Sequence, residues 1–219
     1  MKTKILLVFG LLLASFSCKN DNNATPATLY PTDGLLSYFG FDDTVVDKQN
    51  FAIINFAKSG FGTGKIGKCV TFNGVDDVLE FTPKTPDLNG KISLSCWVKT
   101  AEAGNSKSFI SGNGFRLVTT ASKVAMVVSS PNTNYATSNP ITANEWTHVV
   151  GTFDGTSIQI YINGALVAST NNPGNIGGFN ALLKLAKDNG VYWAGSIDEL
   201  YIYNRALSQA EVTQLYNLK

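Results

Sequence analysis

The groups in this 219-residue chain that could do chemistry are few: one histidine, three cysteines and 16 acidic side chains. His148 lies between Trp146 and Val149 in an apolar run. That setting predicts a satisfied structural imidazole rather than a general base. No second histidine exists, so a His-rich zinc site cannot be built, and Cys69 with Cys96 lacks the usual ligand set. Gly62-Thr-Gly-Lys-Ile-Gly67 matches a dinucleotide fingerprint, but that motif needs a strand before it and a helix after it. Here a strand carrying Val70 and Phe72 follows, so the glycines predict a turn. The phosphate-loop pattern fails too, with Ser59 at its first glycine and Ile66 after the lysine. Asp198, by period-2 alternation, shares a strand face with Leu200 and Ile202. A carboxylate on an apolar face needs a cation, a partner such as Arg205, or several backbone N–H donors. Tyr135, Tyr192 and Trp193 fall in or beside predicted loops, with Asn132, Asn134, Asn189 and Arg116 near them in sequence or type. An exposed ring with such hydrogen-bonding neighbours can hold a sugar. The competing assignment for each ring is core filling, where most aromatics go.

Positioning these residues falls to short strands. Ile92 to Val98 alternates apolar and polar over seven residues, the pattern of a half-buried strand. Ser157–Ile162, Asn163-Gly164 and Ala165–Ser169 predict a hairpin, because Asn-Gly supplies the two positive φ angles of a type I′ turn. Further candidate strands lie around Leu36–Phe41, Val70–Phe72, Val78–Phe81, Lys107–Ile110, Gly114–Thr119, Lys123–Ser129, Trp146–Phe153, Leu182–Ala186 and Ser196–Tyr203. About a dozen strands so spaced predict one antiparallel sandwich. The chain ends in a short helix: Ser208-Gln-Ala-Glu211 is a capping box, and Leu207 with Val212 forms a hydrophobic staple. That helix is expected to pack on the sandwich edge.

Composition narrows the partners. The formal charge is +1 and only 15% of residues are charged. A phosphate-neutralising nucleic-acid binder or a polybasic membrane-surface module needs far more positive charge. Lys2 and Lys4 precede an apolar run from Ile5 to Phe16, which reads as a secretory signal too short to span a bilayer. Ser15-Phe-Ser-Cys18 resembles a bacterial lipobox, which implies cleavage after residue 17 and lipidation of Cys18. Residues 18–29 read as a polar tether and 30–219 as one folded domain. The expected location is the cell envelope, anchored to the outer membrane through lipid and facing either the surface or the periplasm. Export permits a disulfide, but Cys69 and Cys96 are expected to stay free.

Six segments in order resemble a laminin-G-like module of the concanavalin A-like lectin/glucanase jelly roll. They are Gly34–Asp42, Gly64–Asp77, Ile92–Lys99, Glu145–Gly155, Ile160–Ala168 and Gly195–Leu207. The resemblance implies two antiparallel sheets with ligands on a concave face or in edge loops. It also implies a structural calcium where the first and last strands meet, with Asp42 and Asp198 at the matching positions and Asp43, Asp47 and Asn50 supplying nearby oxygens. Glycosidases of this superfold carry Glu-x-Asp-x-x-Glu on one strand. Here Ser196 and Tyr201 replace the two glutamates around Asp198, so no catalytic pair is presented in that way. The expectation is therefore a lipid-anchored protein that binds a glycan or polysaccharide without cleaving it. Its ligand residues would be Trp193, Tyr192, Tyr135, Arg116 and Asn134, and its metal residues Asp42, Asp43, Asn50 and Asp198. The alternative is an adhesion or structural module that contacts other envelope proteins through a sheet edge or loop patch.

Overall fold

The computed structural model describes residues 29–84, 90–101, 106–129, 132–176 and 182–218. Cys18 and the signal-like segment lie outside these residues. The first face-to-face layer is an eight-stranded antiparallel sheet. Its main path runs β13 (Ala165–Asn171), β12 (Ser157–Ile162), β11 (Thr147–Phe153), β6 (Ile92–Thr100), β17 (Ala194–Tyr203), β4 (Lys68–Asn73) and β3 (Gly60–Thr63). β1 (Leu35–Phe39) also pairs with β17. The second layer is seven-stranded, in the order β10 (Thr133–Thr137), β9 (Lys123–Ser129), β8 (Phe115–Thr120), β7 (Lys107–Gly112), β14 (Leu183–Leu185), β5 (Val78–Pro83) and β2 (Ala52–Lys58). A small hairpin, β15 (Lys187–Asp188) and β16 (Val191–Tyr192), links β14 to β17.

Alternation places Leu94, Cys96, Val98, Val149, Phe153, Ile158 and Ile160 of the first sheet against Phe81, Phe109, Leu117, Met126 and Val128 of the second. This is the core. β6 departs from the half-buried pattern. Ser93, Ser95 and Trp97, on its outward face, are buried as well. They are covered because α1 (Gln209–Tyr216) packs on that face rather than on the sandwich edge. Val212 and Leu215 join Val150, Tyr161, Tyr201 and Tyr203 in a second cluster. The capping box forms as expected, with the Ser208 side chain accepting from the Glu211 N–H and the Glu211 carboxylate accepting from the Ser208 N–H. Arg205 clamps the same carboxylate.

β2, β3 and β10 are strands that the sequence pattern does not announce. All three lie at an end of a sheet path, β3 in the first sheet and β2 and β10 in the second, where pairing on one side only weakens the sequence signal. Cys69 and Cys96 are buried and free. The Asn163-Gly164 turn has φ of 49° and 81°, the two positive values its hairpin needs.

Candidate functional site

Cross-strand register lines up one row of side chains over the outer face of the seven-stranded sheet. Tyr135 faces Val127, and Val127 faces Arg116. Arg116 faces Ser111, Ser111 faces Lys184, Lys184 faces Glu80, and Glu80 faces Phe56. Tyr135 and Phe56, at the two ends, are 61% and 50% exposed. Directly opposed residues share a face, so this row is fixed by pairing and not by side-chain choice.

The β15–β16 hairpin is folded back over the middle of that face. Two features aim it there. β7 has an irregularity between Ser108 and Ile110, which leaves Ser108 and Ser111 both facing outward. Ala186 takes a φ of 63°, turning the chain back. Ser111 Oγ then donates to the Lys187 carbonyl at 2.8 Å, and Ser108 Oγ donates to Asp188 Oδ2 at 2.9 Å. Arg116 Nη1 reaches the same Asp188 oxygen at 3.3 Å. The Asp188-Asn189 ridge divides the face into two hollows. One, about 210 Å³, has Val118 and Val127 as its floor, with Arg116, Asp188, Asn189 and Val191 as walls. The other, about 280 Å³, lies beside Lys184, Asn113 and Ser111. An apolar floor ringed by a few aimed polar groups is the general form of a small-ligand site.

The expected ligand residues divide. Arg116 and Asn189 line the first hollow, and Tyr135 stands one strand beyond its floor. Tyr192 is on the hairpin, with the Lys187 ammonium 5.2 Å from its ring centre. Trp193 is a correction: it is 1% exposed and packs on Phe72 and Phe109, so it has no free stacking face. It closes the end of the core where the chain passes between sheets. Asn134 is a correction as well. It follows the opposite alternation from Tyr135 and donates to Asn172 Oδ1 at 2.7 Å, between the strand edges. Asp188 is the polar wall that sequence reasoning missed. Its only signal was its place before Asn189-Gly190, a turn dipeptide.

The acidic corner of the first sheet is built otherwise than expected. β17 bulges between Asp198 and Tyr201, and Glu199 sits at φ 51°. The bulge puts Asp198 on the outer face with Tyr201 and Tyr203, opposite to Leu200 and Ile202. There Asp198 Oδ2 accepts the Lys65 and Ile66 N–H groups at 2.8 and 2.9 Å, and Oδ1 accepts the Glu199 N–H at 2.9 Å. Burial raises its carboxyl to about 7. Glu199, also raised by burial, accepts the phenol protons of Tyr38 and Tyr201. Asp47 accepts from Ser37, Tyr38, Gln49, Phe51 and Ala52.

These residues do not fit a calcium ion as one set. Asp198 already faces the positive ends of three N–H dipoles. Asn50 Oδ1 accepts the Lys84 ammonium, while Asp42 Oδ1 takes the Lys68 N–H and Asp43 is exposed. Among the described residues, no group of three or more His, Cys, Asp or Glu could hold a metal.

No open catalytic pair stands here either. Asp198 and Glu199 are 0% and 6% exposed. His148 donates to or accepts from Ser95 Oγ through Nε2 and is packed by Trp97 and Tyr216. Burial drops its pKa to about 3, so it stays neutral. A third hollow, about 780 Å³, opens over Trp97 between Lys65 and the end of α1. The Lys65 ammonium lies 4.4 Å from the Trp97 ring centre and occupies that indole face.

Two stacked antiparallel sheets with a hollow on an outer face define a jelly-roll module. A laminin G family model, described as the concanavalin A-like lectin/glucanases superfamily, matches residues 73–213, and the chain belongs to that family. No curated protein matches it significantly. Among solved structures, it is similar to domain 4 of AbnA, a GH43 extracellular arabinanase from Geobacillus stearothermophilus, in complex with arabinotriose. The TM-score is 0.64 at 24% identity, over 84% of this chain and 98% of that one. It is similar to the receptor binding domain of botulinum neurotoxin C/D mosaic serotype, with TM-score 0.71 and 14% identity, over 84% of this chain and 51% of that one. The serotype D ligand binding domain in complex with N-acetylneuraminic acid gives 0.69 and 16%, over 84% and 50%. The chain thus spans about half the length of those toxin domains.

Proposed function

We propose that this protein binds carbohydrate without cleaving it, through the hollow walled by Arg116 and Asp188, with Tyr135 one strand away as a stacking platform. The observation that carries this reading is an apolar floor walled by a charged donor–acceptor pair, with an exposed ring one strand away on the same sheet face. An apolar floor suits the C–H face of a sugar, the pair suits its hydroxyls, and the exposed Tyr135 ring on the adjacent strand supplies stacking area at low entropic cost. Two structural neighbours were solved with sugars, one with arabinotriose and one with N-acetylneuraminic acid, which agrees with this use of the fold. The buried state of Asp198 and Glu199 supports binding without hydrolysis, because neither carboxyl is open to a glycosidic bond.

The signal-like segment and Cys18 support display on the cell envelope through a lipid anchor. The second reading, a protein-contact module, rests on the exposed Ile53 and Phe56 of edge strand β2.

A glycan array probed with purified protein, with and without chelator, tests the first reading. Specific binding that Tyr135→Ala weakens at least tenfold is the expected result. No signal on any glycan from folded protein would sink the sugar site and favour protein contact. Binding is expected to survive chelation, and its loss would restore calcium to the Asp42–Asp198 corner.

A further inference from the structure

We infer that the hollow at Arg116 and Asp188 selects a neutral sugar residue through two adjacent hydroxyl groups; the inference rests on the carbohydrate reading above. Arg116 Nη1 and Asp188 Oδ2 are 3.3 Å apart, longer than a tight charge-assisted bond of about 2.8 Å. The pair is therefore loose, and both members keep capacity. A guanidinium has five N–H donors and a carboxylate has about four acceptor positions. Among the described residues, Asp188 bonds through Oδ2, to Arg116 and Ser108, and Oδ1 is left for a ligand. Their side chains are 36% and 22% exposed and both line the hollow, so the unused positions open toward a ligand.

A donor and an acceptor held side by side complement a vicinal diol. One hydroxyl oxygen accepts from Arg116 while its neighbour donates to Asp188. A sugar carboxylate would meet the Asp188 charge at short range, where like charges repel strongly. Behind the pair, Val118 and Val127 offer no hydrogen bond and fit the ring's C–H face. The hairpin wall at Asn189 and Val191 bounds the hollow near 210 Å³, which limits it to a single sugar unit. Lys107 also lines this hollow, and it is the group that could reverse the preference.

The experiment is calorimetric titration of the full-length protein with three probes: arabinotriose, trigalacturonate, and arabinotriose whose diols have been cleaved with periodate and reduced with borohydride. Wild type, Asp188→Asn and Arg116→Gln are compared, with melting curves for each. The inference expects arabinotriose to bind, the cleaved probe and trigalacturonate to bind at least tenfold more weakly, and each variant to lose at least tenfold for arabinotriose while still folded. Should Arg116→Gln fail to fold, Asp188→Asn alone decides the point. Preference for trigalacturonate would overturn the inference and assign the hollow to Arg116 and Lys107 as an anion clamp, with the carbohydrate reading intact. Equal binding of the cleaved probe would also overturn it. Binding of none of the three, together with a blank glycan array, would remove the carbohydrate reading itself.

Discussion

Two aromatic residues that look alike in sequence have opposite roles. Tyr135 is 61% exposed, whereas Trp193 is 1% exposed and wedged on Phe72 and Phe109. Trp193→Ala is expected to cost about 3–5 kcal/mol of stability by leaving a cavity. Tyr135→Ala should change stability by no more than about 0.5 kcal/mol while weakening sugar binding. Chemical denaturation beside titration separates the two. Asp198 carries a pH signature. Its carboxyl titrates near 3.9 in an unfolded chain and near 7 in the fold, where burial disfavours the charge. Over that window the folded state holds a proton that the unfolded state has lost. Its contribution to stability is complete below about pH 4 and disappears as pH rises through 7. Relative to wild type, Asp198→Asn should therefore gain melting temperature as pH goes from 5 to 8. A difference that stays flat or moves the other way would show that the three N–H bonds outweigh the burial of charge.

At the level of elements, α1 and the β15–β16 hairpin each cover one outer face. α1 is eight residues long, too short to hold itself together in water, so its cap and its packing must do so. Ser208→Ala should cost about 1 kcal/mol through the lost cap. Leu215→Ala should cost about 2–5 kcal/mol, because Leu215 is buried against the tyrosines of β17. Measured by urea unfolding, a negligible effect of Leu215→Ala would mean that the helix is not docked in solution. Arg205 depresses Glu211 to about 2, so this clamp stabilises the fold above the usual carboxylate pKa and is lost only in strong acid. The hairpin works differently. It adds little core and instead makes the hollow, by setting Asp188 and Asn189 over β7 and β8.

As a whole molecule, the protein separates fold from function in the way its family does. The sandwich interior is apolar and continuous, and the polar chemistry sits on the outer faces. One of these faces is capped by α1; the other carries the hollow. If Cys18 is lipidated, the sandwich is displayed on a short tether, and Cys18→Ser should shift the protein from the membrane to the soluble fraction. Retention of that variant on membranes would remove the anchor proposal.

Much of this architecture is written locally. The hairpin at Asn163-Gly164, the capping box at Ser208, the apolar run of β9 and the alternation of β12 need only neighbouring residues to specify them, so the sequence alone determined the strand-rich sandwich and its terminal helix. The remainder depended on contacts far apart in the chain. The bulge at Glu199 reversed the face of Asp198, and no period-2 reading can count an unpaired residue in advance. Trp193 went to the core because it lies where the chain crosses between sheets. Arg116 and Asp188 came together over 72 residues of separation, through strand register and the fold-back at Ala186. Register is set by pairing across the sheet, and only the tertiary structure supplies the partner strand.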